Sequence, residues 1–397
     1  MPKTPITVPR SGIAFPALAY AFAAIMVGTT LPTPMYGLYS ARMGFGVLTE
    51  TVVFAIYAGG VLAALLLFGR WSDAVGRRPM LLAGACCALV SSLVFLAADD
   101  LRVLLVGRLL SGLSAGLYTG AATVAVIQAA SPRWRTRAAA VAVIANIGGL
   151  GLGPVLAGVL VQYAPAPLRL AFVVHVALVA LAIAAVLIAP ETSSCSGRIG
   201  FQRLTIPTEA QAVFAVAATA AFAGFAVSGL YTALTPSFIS DVVGIENHLI
   251  AGTVAASVFL SSAAAQLLAG RIGSRAVAIG CAGLVLGAAI IAGALHFASL
   301  AGLIAGGLVA GVGQGLSFGP GLTMVIEQTP ADRRAEVSST YFVVAYVAIS
   351  LPVIGAGLAA TVWGLRTAGI VFASAVAALS ALCLAAVLVQ QARNDSR

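Results

Sequence analysis

Residues 69–78 read Gly-Arg-Trp-Ser-Asp-Ala-Val-Gly-Arg-Arg and stand between two long apolar segments of the chain. Gly69 and Gly76 allow close approach of the backbone in a tight turn. Pro79 can open a following helix, because its missing N–H is not needed in a first turn. The stretch therefore predicts a short turn with one acidic and three basic side chains, placed between two helices that cross a membrane.

Apolar segments of this kind recur along the whole chain. Hydrophobic residues make up 61% of its 397 residues and charged residues 8%, against about 25% charged residues in soluble domains. The segments are continuously apolar and about 20 residues long, so they predict helices rather than barrel strands. We expect an all-α integral membrane protein with twelve transmembrane helices. The predicted spans are residues 14–36, 49–69, 80–97, 103–127, 138–163, 170–189, 212–238, 249–270, 276–297, 300–326, 337–361 and 367–389.

The basic residues are distributed unevenly between the loops. Sixteen of the 21 Lys and Arg residues fall on one side of the membrane when the amino terminus is placed in the cytoplasm. This is the positive-inside pattern, and it predicts a multi-pass protein with both termini cytoplasmic, which we expect in the cytoplasmic membrane of a bacterium. The net charge of +9 is thereby explained without a nucleic-acid partner. The first span is too long for a signal peptide, so we expect it to stay attached.

The two halves of the chain resemble each other. The longest polar interruption divides the spans six and six, and Gly69-Arg70 matches Gly270-Arg271 in the same register in which Pro154 matches Pro352. Two similar six-helix bundles can rock about a site held between them. We predict an N-terminal bundle over residues 1–190, a cytoplasmic linker over 191–211 and a C-terminal bundle over 212–397.

The charged turn carries a family resemblance. Gly69, Asp73, Gly76, Arg77 and Arg78 resemble the signature loop of the major facilitator superfamily at every defining position. The resemblance implies that this loop stabilises one conformation through contacts between the two bundles, as a conformational latch. Without the resemblance, a basic loop is also explained as a topology signal.

A second motif lies in the fifth span. Gly149, Gly153, Pro154 and Gly158 resemble the antiporter motif of the same superfamily, with Ala157 in place of one glycine. The resemblance implies an exporter in which this segment seals the interface against leak. Small residues also allow ordinary close packing of helices, and that interpretation stays open.

The first span holds a Pro-x-Pro element at Pro32 and Pro34 that resembles the twelve-span drug/proton antiporter branch. The two prolines would break the helix beside Thr33 and Tyr36, so that freed backbone groups could line a cavity. A simple helix end near the outer surface explains the same residues.

Two titratable or charged residues lie within spans. Arg108 resembles the fourth-helix arginine motif of the superfamily, which implies proton transfer or recognition of substrate charge, although its side chain could instead extend to the outer surface. His175 could titrate near neutral pH or serve as a packing residue. No Asp or Glu lies in the middle of the first, fourth, fifth or seventh span, so the coupling ion stays open.

Together these features predict a monomeric secondary transporter that exports small lipophilic or amphipathic compounds, in exchange for protons. A carrier of a sugar or organic anion, and a non-transporting sensor or scaffold, are the alternatives. The G-x-S-x-G of residues 112–116 lies within a span, so we expect no enzyme, and no cofactor or metal. The predicted substrate or coupling residues are isolated polar groups of the spans: Arg108, Thr33, Tyr36, Asn146, His175, Tyr231, Thr235, Gln314 and Tyr341.

Overall fold

A computed structural model describes residues 12–191, 193, 195 and 199–395 of the chain. Four of the predicted cytoplasmic basic residues, Lys3, Arg10, Arg198 and Arg397, lie outside the described residues, and so does the predicted position of both termini.

Eleven segments of the described chain are helical, long and apolar enough to cross a membrane. The longest, His248–His296, has 49 residues, which would be about 74 Å as one helix and more than twice the hydrocarbon thickness. It divides at a short turn, Gly273–Arg275, whose glycine has a φ of +67°. The helices are α1 (Ala14–Met43), α2 (Val47–Phe68), α3 (Arg77–Leu96), α4 (Leu101–Ala129), α5 (Ala138–Tyr163), α6 (Leu170–Ile188), α7 (Thr208–Val243), α8 (His248–Ile272), α9 (Ala276–His296), α10 (Leu300–Glu327), α11 (Ala331–Trp363) and α12 (Leu365–Ala392).

The prediction of an all-α membrane protein is confirmed. The largest differences in length are at α1, α7 and α11, which continue beyond the predicted apolar runs. Helical hydrogen bonding continues there through polar residues, which a hydropathy pattern leaves out.

Helix α1 is interrupted near its far end. Its first part ends at Thr30, a 3₁₀ turn follows at Thr33–Met35, and a second α-helical part begins at Tyr36. Pro32 and Pro34 cannot donate backbone hydrogen bonds, so the α-helical ladder stops at this point. The predicted break in the first span is confirmed.

Helix α5 contains a π-helical turn, Ile144–Gly148, directly before its glycine-rich part. A π turn inserts an extra residue and changes the direction of the side chains that follow. Pro154 lies within the continuous α-helix Gly149–Tyr163. The turn therefore sets which glycines of α5 face each neighbouring helix.

The helices form two packed sets. Within the first set, α1 packs on α4, α5 and α6, and α3 packs on α4 and α6; within the second, α10 packs on α7, α8 and α9, and α12 packs on α9 and α11. The pairs α2–α11 and α5–α8 make most of the contacts between the sets. This arrangement is compatible with the predicted domain boundaries, which stay a prediction.

The connections between helices lie at two ends of the molecule. Residues 69–76, 130–137, 199–207 and 328–330 and the Gly273–Arg275 turn lie at one end, here called the Arg-rich end. The other connections lie at the opposite end. These two names carry no assignment to a side of the membrane.

Candidate functional site

Arg108 of α4 is completely buried, with 0% of its surface exposed. Its guanidinium donates from Nη1 to the carbonyl of Thr29 at 2.8 Å, and from Nε and Nη2 to the carbonyls of Val53 at 3.3 Å and Phe54 at 3.4 Å. The acceptors belong to α1 and α2, so the side chain points into the helix set. The alternative of a side chain that extends to the membrane surface is wrong for this structure.

Aromatic rings provide the rest of the surroundings of this charge. The Arg108 Cζ atom lies 4.8 Å from the centre of the Tyr57 ring and 5.7 Å from that of Phe54, within the range of cation–π attraction. Among the described residues Arg108 forms no ion pair with a carboxylate. Within the described part of the chain, carbonyl dipoles and ring faces therefore surround this positive charge.

The break in α1 contains two buried residues predicted from the sequence. Thr33 has 1% of its surface exposed and Tyr36 has 0%, and neither hydroxyl has a hydrogen-bond partner among the described residues. The side chain of Tyr36 lies within electrostatic range of Arg108. Thr235 is buried in α7, which packs against the Thr33–Met35 turn. Tyr36 is thus a neighbour of Arg108, and Thr33 and Thr235 are buried polar side chains of the adjoining helices α1 and α7.

Two predicted tyrosines lie elsewhere, inside the second helix set. The Tyr231 hydroxyl donates to the carbonyl of Leu303 at 2.7 Å. The Tyr341 hydroxyl lies 3.2 Å from the carbonyl of Ala217 and 3.1 Å from that of Phe318. Both side chains are fully enclosed and bonded within α7–α12, so the structure does not bring them to Arg108.

Gln314 and Asn146 lie on two different helices, α10 and α5, that both pack on α8. Gln314 of α10 is buried and accepts a hydrogen bond from Ser262 of α8, which in turn accepts one from Gln266 at 3.3 Å. Asn146 is half-buried in the π turn of α5, which packs on α8. Their predicted contact with substrate stays a prediction.

The surroundings of His175 agree with its interpretation as a packing residue. Its Nε2 atom lies 3.1 Å from the carbonyl of Ala24 and its Nδ1 atom 2.7 Å from the hydroxyl of Ser92. Because a carbonyl only accepts, Nε2 carries the proton and Nδ1 accepts from Ser92, a tautomer assigned from these contacts. The neutral ring is thus fully hydrogen-bonded between α1, α3 and α6, away from the contacts between the helix sets.

The opposite end is joined by hydrogen bonds between the two helix sets. Glu50 of α2 is buried, and its Oε2 atom accepts from the hydroxyl of Ser237 of α7 at 2.8 Å. At the start of α8, the His248 backbone N–H donates to the Gln162 side chain at 2.9 Å, and His248 Nδ1 lies 3.1 Å from the carbonyl of Pro34. In this conformation the two sets therefore meet at the opposite end.

The glycine-rich part of α5 lies between α1 and α8. A Cβ atom at Gly149 or Gly153 would overlap α1, and one at Gly158 would lie 2.7 Å from a carbonyl oxygen at the start of α8. From the other side, a Cβ at Gly252 would lie 2.2 Å from the carbonyl oxygen of Pro154. The backbones of α5 and α8 touch directly, because neither helix has a side chain at the contact.

The charged turn, residues 69–78, lies at the Arg-rich end. Asp73 is two-thirds exposed and its carboxylate lies 3.7 Å from Arg77 Nη2, while Arg77 also donates to Gln128 of α4. No described contact joins Asp73 to helices α7–α12. The contact with the other helix set that the family resemblance implies for Asp73 is therefore not formed within the described residues of this conformation.

Glu191, directly after α6, holds the same turn in place. Its carboxylate accepts from the backbone N–H groups of Arg77 and Arg78, both at 2.9 Å, at the start of α3. A helix start carries free N–H groups and partial positive charge, both of which favour a carboxylate. Gly76, with a φ of +114°, leaves room for it, since a Cβ there would lie 2.6 Å from Glu191 Oε2.

Glu50 and Glu191 were not among the residues predicted from the sequence. Each stands at the edge of an apolar run, where an acidic residue is ordinarily solvated. Their roles depend on helices more than a hundred residues away, and no local pattern records such a contact. Within the described residues, no group of three or more His, Cys, Asp and Glu side chains could hold a metal ion.

Comparison with known proteins gives one broad and several short matches. The sequence profile described as Major Facilitator Superfamily matches residues 13–351 and 216–397. Multidrug resistance protein MdtL of Citrobacter koseri is 34% identical over 65 residues, which is 16% of this chain and 17% of that protein. The proteins of the same name from Escherichia coli O139:H28 and Shigella boydii serotype 18 are 35% identical over 65 residues, with the same coverage. The chain thus aligns with about a sixth of the length of these relatives.

The profile covers well over half of the chain and includes all twelve helices described above. The fold, the two joined helix sets and the profile agree with one another. The chain belongs to the Major Facilitator Superfamily.

Proposed function

We propose that this protein is a secondary transporter that exports small lipophilic or amphipathic compounds by alternating access, in exchange for protons. The observation that carries the proposal is the direct backbone contact between the glycine-rich part of α5 and α8. Such a contact lets the two helix sets tilt against each other while solute and ions are kept from leaking between them. The short similarity to proteins named for multidrug resistance supports the same class of activity.

A cavity near the Arg-rich end supports the proposed substrate class. Its volume is about 600 Å³, which lies within the range of small-molecule sites. It is enclosed by α5, α8, α9 and α10, and its walls are mostly small or apolar residues with few polar groups. A surface of this kind suits lipophilic compounds better than sugars. The polar residues of the lining are Gln266, Ser274, Thr323 and Glu327.

One observation favours a second candidate function, the transport of an organic anion. Arg108 is a buried cation with no carboxylate beside it among the described residues. An anionic solute could approach it past Tyr36, and the buried hydroxyls of Tyr36 and Thr33 have no hydrogen-bond partner among the described residues. This candidate predicts competition by a single class of solute.

The test is transport by purified protein in proteoliposomes with an imposed pH gradient. Accumulation or release of several unrelated amphipathic dyes, abolished by collapsing the gradient, is the expected result. Competition only among organic anions would support the second candidate instead. Absence of flux for every dye and anion, with correctly folded protein, would support a sensor or scaffold.

The proposal includes an orientation in the membrane. The Arg-rich end holds most of the described Arg residues of the loops, so the positive-inside rule places it in the cytoplasm of a bacterial cell. A membrane-impermeant maleimide should label an engineered cysteine at exposed Ala41, at the opposite end, in intact cells. A cysteine at exposed Ser274, at the Arg-rich end, should be labelled only after the cells are opened.

A further inference from the structure

A carboxyl group lies buried between the two helix sets at the opposite end. Glu50 stands in the first turn of α2 with 3% of its surface exposed. Its Oε2 atom accepts a hydrogen bond of 2.8 Å from the hydroxyl of Ser237, which is 187 positions away in α7. Among the described residues no Arg, Lys or His forms an ion pair with Glu50. The contact between α2 and α7 therefore depends on a carboxyl group without a cation.

An open cavity reaches this carboxyl group from the same end. It has a volume of about 520 Å³, and Glu50, Ser237 and the exposed Asp241 are among its lining residues. An ionised carboxylate that moves from such a cavity into the closed contact gives up its hydration, and two neutral hydroxyls, those of Ser237 and the nearby Ser40, replace only part of it. A protonated carboxyl group loses far less. The closed contact is consequently easier to form when Glu50 is neutral.

We propose that Glu50 is a proton-binding residue and that protonation of its carboxyl group allows α2 and α7 to close together at the opposite end. The proton comes from water in the cavity and forms an O–H bond with the carboxylate. When the O–H bond breaks and the proton passes back to water, the ionised group regains hydration and the end opens. The inference deepens the proposed proton exchange and rests on it: with the Arg-rich end in the cytoplasm, the proton arrives from outside the cell.

Other titratable or charged groups face this region from the helices packed around α2. His248 is one of them, and its Nδ1 atom lies 3.1 Å from the Pro34 carbonyl. Asp241 and Glu246 are exposed, and the charge of Asp241 adds to the negative potential at Glu50. The groups are Tyr36 of α1, Arg108 of α4, Asp241 of α7, Glu246 and His248 before and at the start of α8, and Tyr346 of α11.

The test measures the width of the opposite end as a function of pH. Nitroxide labels at Ala41→Cys and Ile245→Cys, which line the cavity from two sides, are introduced into the full chain after its five native cysteines are replaced by serine. Pulsed electron paramagnetic resonance in lipid nanodiscs, without any substrate, gives the distance distribution from about pH 8 to about pH 5. The short-distance population should grow as the pH falls. For one proton, its ratio to the long-distance population should change by up to about tenfold per pH unit.

Four variants connect the response to this residue. Glu50→Gln keeps the shape of a neutral carboxyl group, so it should be mostly closed and insensitive to pH. Ser237→Ala removes the hydrogen-bond donor and should lower the closed population at every pH. Asp241→Asn and His248→Gln are matched controls at the same end, and both should keep the pH response.

Several outcomes would overturn the proposal. A wild-type response in Glu50→Gln, or loss of the response in His248→Gln alone, would assign it to another group. If Glu50→Gln does not fold, an unchanged closed population in Ser237→Ala would overturn it. Because no substrate is present, failure of every transport assay would count against the proposed function and not against this inference.

Discussion

At the scale of residues, the geometry of the Arg108 side chain determines how its charge is accommodated among the helices. Its planar guanidinium presents five N–H groups in a fixed geometry, and three carbonyls of α1 and α2 receive them. A lysine carries the same charge as a compact point at the end of a flexible chain. The shape of the donor therefore matters here as much as its charge.

We expect Arg108→Lys to reduce transport at least about tenfold and to lower thermal stability. Each hydrogen bond from a charged donor contributes about 1.5–3 kcal/mol, and one ammonium cannot reach all three carbonyls. Transport in proteoliposomes and thermal unfolding of the purified protein provide the two measurements. Arg102→Lys, at an exposed position of the same helix, is the control and should behave as wild type. Equal transport by both variants would contradict a role of the Arg108 guanidinium in transport.

A second residue-scale prediction concerns the fit of the His175 ring against α1. A Cβ atom at Gly28 would lie 2.0 Å from His175 Cε1, so Gly28→Ala should lower the free energy of unfolding by about 1–3 kcal/mol. Gly59→Ala is the matched control, because nothing lies within 4 Å of the added atom. Thermal unfolding of Gly28→Ala and of the double variant with His175→Ala measures the effect. Failure of the second substitution to recover any stability would show that another contact is responsible.

At the scale of helices, the contact between α5 and α8 depends on the absence of side chains from both partners. The π turn before Gly149 fixes the rotation of α5, and Gly252 lets the backbone of α8 reach the Pro154 carbonyl. A motif that the sequence shows only on α5 is thus completed by a glycine on α8.

Gly252→Ala should therefore separate α5 from α8 and allow protons to leak. The added methyl group would meet a carbonyl oxygen at 2.2 Å, and backbone atoms cannot move aside as a flexible side chain does. Dissipation of an imposed pH gradient in proteoliposomes without substrate measures the leak. Gly355→Ala on α11, with open space around it, should leave the gradient intact. A gradient retained equally by both variants would argue against a seal at this contact.

The sequence predicts helical features when their cause is local. Pro32 and Pro34 act on their own backbone, so the break in α1 was predictable from them alone. The rotation of α5 and the burial of Glu50 depend on helices distant in the chain, and the apolar pattern is the same for any rotation when lipid surrounds the helix. The polar candidates were chosen as isolated groups, but Tyr231 and Tyr341 have carbonyl partners that a sequence does not reveal.

At the scale of the whole molecule, the two ends differ in what joins the helix sets. The opposite end is held by Glu50 and His248, while Asp73 at the Arg-rich end pairs with Arg77 of its own set and has no described contact with helices α7–α12. Under the proposed function, this structure represents one side of an alternating cycle. We expect contacts of Asp73 with the other set in the conformation in which the Arg-rich end closes.

We expect Asp73→Asn to shift the population toward the conformation with an open Arg-rich end and to depress transport. The variant loses the charge that would stabilise the closed Arg-rich end, whereas the contacts at the opposite end are unaffected. Labelling of an engineered cysteine in the cavity at the opposite end should become slower. Asp332→Asn, also exposed at the Arg-rich end, is the control. Unchanged labelling in Asp73→Asn would argue against a latch.

The connection between α6 and α7 also limits how far the molecule can move. The Gln202 backbone donates to the Leu66 carbonyl at the end of α2, and the Thr205 hydroxyl donates to Glu336 at the start of α11. Three residues of fully extended chain span about 10 Å. While both contacts persist, the extended length of this segment limits how far α2 and α11 can separate at the Arg-rich end. The width of the entrance there is set by the length of a short peptide as well as by the packing of helices.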